Sequence, residues 1–228
     1  MGRSDSNLSL MQEFTQPDKP VWNILARIEQ IFQGLASRIP LTNQNIVLNN
    51  TCGVVVDLGC ETGLPFSMYL HRADTSHLIG LEIETYYLEK RNAHYDDSIL
   101  ADARFLPFRR KSVDTVLCMQ LLYHFRKREA LRLLHGLFSA VRKRIVVTMP
   151  VGFTGQKWNR SIFYPEDMRN LGFRVTGHGV RLPQAIRKDH EFDPSSFGYY
   201  VVRLSFLLFL TFCFPSLSHL IVCVYRFD

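Results

Sequence analysis

Apolar residues recur along the chain with two different periods. From Val21 to Ile39 (VWNILARIEQIFQGLASRI), Trp22, Leu25, Ile28, Phe32 and Leu35 fall at helical spacing, and Pro40 stops the run. Beyond it, short β-branched runs alternate with helical ones. The strand-like stretches are VVVDL (54–58), HLIGLEI (77–83), SILAD (98–102), VDTVLCM (113–119) and RIVVTMP (144–150). Helices are predicted at 66–71, 85–93 and about 127–142. Continuously apolar strands separated by helices predict a parallel sheet covered on both faces. The pattern therefore predicts an α/β, doubly wound domain.

The remaining composition bounds this picture. With 46% hydrophobic residues, 228 residues can bury one sizeable core but not two ordinary domains. Residues 1–20 (MGRSDSNLSLMQEFTQPDKP) read as a flexible lead-in, and 21–228 as one domain. The cysteines, Cys52, Cys60, Cys118, Cys213 and Cys223, make no Cys-x-x-Cys pair and no zinc spacing. A reducing, cytoplasmic setting is expected, with no metal. The formal charge of +6 is concentrated in RRK (109–111), RKR (126–128) and RKR (142–144). Solvated turns and helix ends account for such runs, and a nucleic-acid groove is the less favoured alternative.

In a doubly wound sheet the ligand sits at the carboxyl ends of the strands, where the strand order reverses. The first strand end reads Asp57-Leu58-Gly59-Cys60-Glu61-Thr62-Gly63, the second ends at Glu82, the third at Asp102-Ala103, and the fourth at Cys118-Met119-Gln120. A dinucleotide fingerprint fails here, because Glu61 and Leu64 stand where G-x-G-x-x-G requires glycine. Pyrophosphate would also meet two carboxylates, and a Walker lysine is missing. So acidic a loop suits a ligand that carries positive charge.

These residues resemble the class I S-adenosylmethionine-dependent methyltransferases, in the broad small-molecule group whose first motif commonly reads D-L-G-C-G-T-G. VVVDLGCETG resembles the first motif, LIGLEIE the second strand with its ribose acid, and ILADARFLPFRRKSVDTVLCMQLLYHF the third and fourth strands. The resemblance implies a seven-stranded, mostly parallel sheet with an antiparallel last strand, and S-adenosyl-L-methionine as cofactor. It implies that Asp57, Gly59, Cys60, Glu61 and Gly63 form the loop around the methionine part. Glu82 with Ile83 would lie at the ribose, Asp102 with the Ala103 amide at the adenine edge, and Met119 near the amino acid end. The thiol of Cys60 itself reads as packing. His124, in LLYHF, is the candidate base for the acceptor's proton, with Tyr123 shaping the pocket.

Glu61 departs from the family pattern, and two accounts compete. Either its backbone takes a conformation open to any residue and its carboxylate faces solvent or the cofactor's positive charges, or glycine was needed and Glu61 disables the loop. The suitable residues at the other strand ends favour the first. On the second, the protein is a non-catalytic binding or scaffold protein; an RNA methyltransferase is a further alternative.

Beyond Pro150, WNRSIFYPEDMRNLGFRV resembles an acceptor-side segment of some relatives, with Ser161 and 164–167 near the acceptor; a helix cap followed by a glycine stop is the plainer reading. Arg160 and His178 are candidates to meet a polar acceptor. The acceptor itself is expected to be a small or lipid-like molecule. The hydrophobic segment at about 201–225 includes 22 residues without formal charge, Leu204 to Tyr225. HLIVCVYRF within it resembles the family's last strand. The other half is read as a core or acceptor cap, with peripheral membrane contact and a true span as alternatives.

Overall fold

The computed structural model describes residues 43–63, 70, 74–90, 95–152, 159–180 and 214–227. The lead-in, the helix expected at 21–39, the 66–71 helix apart from Leu70, and residues 201–213 of the apolar tail lie outside the described residues. A short helix α1 (Asn43–Asn49) precedes strand β1 (Cys52–Leu58). The hydrophobic pattern does not predict α1, because side-chain bonds close it: Asn50 Nδ2 donates to the Ile46 carbonyl and Thr51 Oγ1 to that of Val47.

Then follow β2 (Asp74–Glu82), α2 (Thr85–Glu89), β3 (Asp97–Leu100), β4 (Val113–Met119) and a 3₁₀ turn at Leu122–His124. Next come α3 (Lys127–Ala140), β5 (Val141–Pro150), α4 (Pro165–Asn170), β6 (Arg174–Val180) and β7 (Ser218–Arg226). The sheet has seven strands in the order β3-β2-β1-β4-β5-β7-β6, and β7 runs antiparallel to both its neighbours. The order reverses between β1 and β4, which puts the crevice at the carboxyl ends of those two strands. One apolar cluster packs α3 and α4 against one face through Val56, Val116, Leu134, Leu137 and Met168; Val55, Leu117 and Val222 face the other side.

Among the boundaries that differ from the sequence reading is the junction of α3 with β5. Helix α3 ends at Ala140 rather than 142, because Val141 already pairs with Val113 in the sheet ladder and the chain passes from helix to strand without a loop. As the likeness of HLIVCVYRF to a last strand implied, the last half of the apolar tail is β7, antiparallel and inserted between β5 and β6, so the 22-residue run is not one helix. Among the described residues, no helix is long and apolar enough to cross a membrane.

At the amino edge of the sheet, Asp114 joins β4 to β1 and β5. Its Oδ2 accepts the Val54 N–H at 3.0 Å, and its Oδ1 meets Arg142 Nε at 3.1 Å and Lys143 Nζ at 3.3 Å. The cations beside it and the Val54 bond hold its carboxyl below the usual range despite burial. Asp114→Asn keeps the backbone acceptor and loses only ion pairs to half-exposed cations; a cost of about 1 kcal/mol in urea denaturation is expected. The other basic runs are also engaged within the fold. Lys127 Nζ meets Asp167 Oδ2 at 2.8 Å, and Lys111 Nζ donates to the Val141 carbonyl at 2.7 Å.

Candidate functional site

The loop after β1 is drawn onto the end of β2 by backbone bonds. The N–H groups of Gly59 and Cys60 both donate to the Leu81 carbonyl, at 2.8 and 3.2 Å, and the Gly63 N–H closes the turn onto the Cys60 carbonyl at 2.8 Å. Gly59 and Gly63 lie at φ +68° and +75°, and Glu61 between them lies at +46°. This corrects the expectation that Glu61's backbone is open to any residue: it occupies the left-handed region that favours glycine. The conformation is held because the Glu61 N–H donates to Glu82 Oε2 at 3.0 Å. Cys60 is buried, and glycine at 80 makes room for it: a Cβ there would come within 2.8 Å of Cys60 Sγ and 3.2 Å of the Tyr95 ring.

Asp57 is 4% exposed, and its Oδ2 accepts the Tyr95 hydroxyl at 2.6 Å. Burial lifts its pKa to about 7 against the lowering effect of that bond, with the negative charges of Glu82 and Glu61 adding to the rise. Burial and the Asp57 charge together drive the Tyr95 phenol far above its usual range, so it stays a donor. Glu82 is buried too, and its carboxylate accepts the N–H groups of Ile83 at 2.7 Å and Glu84 at 3.1 Å besides that of Glu61. Ile83 beside it is 55% exposed, an apolar side chain open at the strand end. Among the described residues, none of Asp57, Glu61 and Glu82 is ion-paired with a lysine or arginine.

At the end of β3, Asp102 is gripped by Arg104. The guanidinium Nε reaches Oδ1 at 3.0 Å and Oδ2 at 2.9 Å, Nη2 adds a third bond, and the Arg104 N–H donates to Oδ1 at 2.9 Å. These bonds hold the Asp102 carboxyl below its ordinary range. Arg104 Nη1 also reaches Glu129 on α3 at 3.4 Å. The N–H of buried Ala103 makes no hydrogen bond among the described residues, which leaves an amide donor beside Asp102.

At the end of β4, Met119 packs against the apolar side opposite α3. Gln120 then turns the chain with φ +55°, its N–H donating to the Thr148 carbonyl at 2.8 Å and its Nε2 to Thr148 Oγ1 at 3.3 Å. The Gln120 backbone beside His124 favours its protonated ring. Burial, offset by Glu61 and reinforced by Arg160, lowers the His124 pKa, so the ring is neutral at pH 7. Its plane lies 4.4 Å, centroid to centroid, from Tyr123. The Glu61 charge is felt by Asp57, Tyr87, Tyr123 and His124.

The following segment is fastened to the same turn. The N–H groups of Arg160 and Ser161 both donate to the Tyr123 carbonyl, at 2.8 and 3.2 Å. Ser161 is buried with Oγ 3.4 Å from the Leu122 carbonyl, a structural use of the hydroxyl. Asp167 caps α4 by accepting the Tyr164 N–H at 2.9 Å, so the plainer helix-cap reading holds for 164–167. His178 pairs with Leu220, which itself pairs with Pro150, at the carboxyl end of β5. Its Nε2 has no partner among the described residues, and burial lowers its pKa to about 4. Sequence reasoning missed Tyr95 and Arg104, and gave Gln120 a place at the fourth strand end without a role; Arg104 had a local signal, lying two residues from a strand-end acid.

The order-reversing sheet with an acidic, glycine-closed first turn and an acid at each of the next two strand ends defines a Rossmann-like domain with its ligand crevice at the switch point. Residues 56–140 match the model of a family described as a methyltransferase domain. The match covers well under half of the chain and marks this stretch as similar to a methyltransferase domain. The structure is similar to that of an S-adenosylmethionine-dependent methyltransferase from Archaeoglobus fulgidus, with 15% identity, TM-score 0.56, and coverage of 92% of this chain and 100% of the other. It is also similar to magnesium protoporphyrin IX methyltransferase from Synechocystis with bound SAH, with 13% identity, TM-score 0.54, and coverage of 98% and 95%. At these identities the likeness is one of fold. No curated protein matches the sequence.

Proposed function

We propose that the protein holds S-adenosylmethionine over the β1/β4 crevice and transfers its methyl group to a small or lipid-like acceptor at the His124 rim. The observation that carries this reading is a set of carboxylates at the ends of β1 and β2, buried Asp57 and Glu82 with exposed Glu61 beside them, with no lysine or arginine paired to them among the described residues. Such a set is unfavourable alone and is compensated by a cationic ligand. The donor set fits the cofactor: carboxylates for its ammonium and sulfonium charges, and Asp102 with the free Ala103 N–H for the adenine edge. When bound, the cofactor supplies an electrophilic methyl group. Gly59 and Gly63 let the backbone approach, Glu82 shapes the loop and keeps acceptor capacity for a ribose hydroxyl, and Ile83 offers an apolar face.

On the acceptor side, His124, whose pKa is lowered chiefly by burial, takes the acceptor's proton. Exposed Ile162 and Tyr164, in the segment fastened to Tyr123, favour an acceptor with apolar surface. The RNA alternative is weakened because residues from each basic run serve the fold. Peripheral membrane contact through the apolar tail and a cytoplasmic workplace belong to the same reading.

Calorimetric titration with S-adenosylmethionine and S-adenosylhomocysteine tests it. Saturable binding by the wild type is expected, and Asp102→Ala should weaken it about fivefold through loss of one hydrogen-bonded acceptor. A wild type that binds neither compound would overturn the reading.

A further inference from the structure

A second cavity, of about 290 Å³, lies outside the crevice between α3 and the loop that follows β3. Leu106, Phe108, Leu133 and Ala140 give it an apolar floor, and Arg104, Arg132 and Ser139 are polar groups in its lining. Gly136 is also in its lining, and a Cβ there would come within 3.1 Å of Leu106 Cδ1. Arg132 is exposed and makes no ion pair or hydrogen bond among the described residues. Arg104 is shared, since the guanidinium that lines this cavity is the one that occupies both oxygens of Asp102.

We propose that this cavity binds a small amphipathic anion, with its apolar part on Leu106 and Phe108 and its charge between Arg132 and Arg104, and that its occupancy tightens cofactor binding. The apolar floor with a few convergent polar groups is the usual makeup of a small-molecule site, and its volume limits the ligand to a small molecule. Arginine rather than lysine on the rim suits a carboxylate or phosphate, which it meets in a two-toothed fashion. The coupling rests on the reading of Asp102 as the adenine acceptor. Arg104 fills the acceptor positions that an adenine amine would use, so an anion that draws Arg104 outward frees them. By linkage, the cofactor must then tighten the anion by the same factor.

Phenyl phosphate is the probe, with inorganic phosphate and phenol as its separate halves, all titrated calorimetrically into the full chain. Saturable binding of phenyl phosphate, tighter than either half and weakened about fivefold or more in Arg132→Ala, is the expected result. Equal binding by wild type and Arg132→Ala, or none by the wild type, would overturn the site. Arg132 is a surface position outside the crevice, so the variant is expected to fold and to bind S-adenosylmethionine like the wild type in the absence of anion. With saturating phenyl phosphate, S-adenosylmethionine affinity should rise about threefold or more in the wild type and stay unchanged in Arg132→Ala. An affinity that phenyl phosphate leaves unaltered in the wild type would overturn the coupling and leave the anion site standing. If S-adenosylmethionine failed to bind at all while phenyl phosphate still bound, the proposed function would fall rather than the site.

Discussion

Asp57→Asn is expected to stabilise the folded protein at pH 8 by roughly 2 to 4 kcal/mol and to weaken S-adenosylmethionine binding by about tenfold or more. The carboxyl is buried, with Tyr95 as its hydrogen-bond donor, and its pKa is raised from 3.8 to about 7 by burial first and then by Glu82 and Glu61. The folded state therefore keeps a proton that the unfolded chain releases between those two values. Stability from this group is fully present below pH 3.8 and is lost as pH rises through about 7. Asparagine never ionises and can still accept the Tyr95 hydroxyl, so its advantage grows from pH 4 to 7 and levels off above. Urea denaturation of both proteins at pH 5 and pH 8 reads this directly, and equal differences at the two pH values would refute the burial account. Binding moves the opposite way, because a cationic ligand draws on the ionised form. Wild-type affinity should rise between pH 6 and 8 with proton release, seen as a buffer-dependent heat, and the variant should show neither.

This opposition between stability and binding was half legible in the sequence. Asp57, Glu82 and Asp102 are found at strand ends because each follows a run of apolar residues long enough to mark the strand, and the sheet then aligns them. What Asp57 meets in the interior is harder to read. Tyr95 is 38 positions away, brought over by the crossing from β2 to β3 and admitted by the missing side chain at Gly80. Gln120 stood at the fourth strand end, but its turn gave no signal, since a left-handed conformation at a residue other than glycine is imposed by its bonds to Thr148 rather than by its own preference. The junction of α3 with β5 was blurred for a related reason: Val141 suits either element, and pairing with Val113 decides. For β7 the tail's composition suggested a membrane span, and only the likeness of HLIVCVYRF to an inner strand pointed to the place it takes between β5 and β6.

Glu61→Gly separates the two accounts of the acidic loop, because it removes strain and charge together. At φ +46° a residue with a side chain costs about 1 to 2 kcal/mol over the right-handed region, and glycine returns part of this through greater freedom of the unfolded chain. A net gain of about 1 kcal/mol in denaturation is expected, with the backbone bond to Glu82 retained. The charge acts in the other direction. A carboxylate about 4 Å from a unit cation gains about 4 kcal/mol at an effective dielectric near 20, before solvation is subtracted. Glu61 is exposed, so only part of that survives, and a loss of roughly tenfold in S-adenosylmethionine affinity is expected for Glu61→Gly. Glu61→Ala completes the comparison by deleting the charge while keeping the left-handed strain. Equal losses in both variants would mean that the carboxylate serves as a counter-charge and that the loop, though strained, is built to bind. Tighter binding in Glu61→Gly alone would mean that strain keeps the loop from closing on the cofactor, and the chain would then act through its fold as a binding protein rather than as an enzyme.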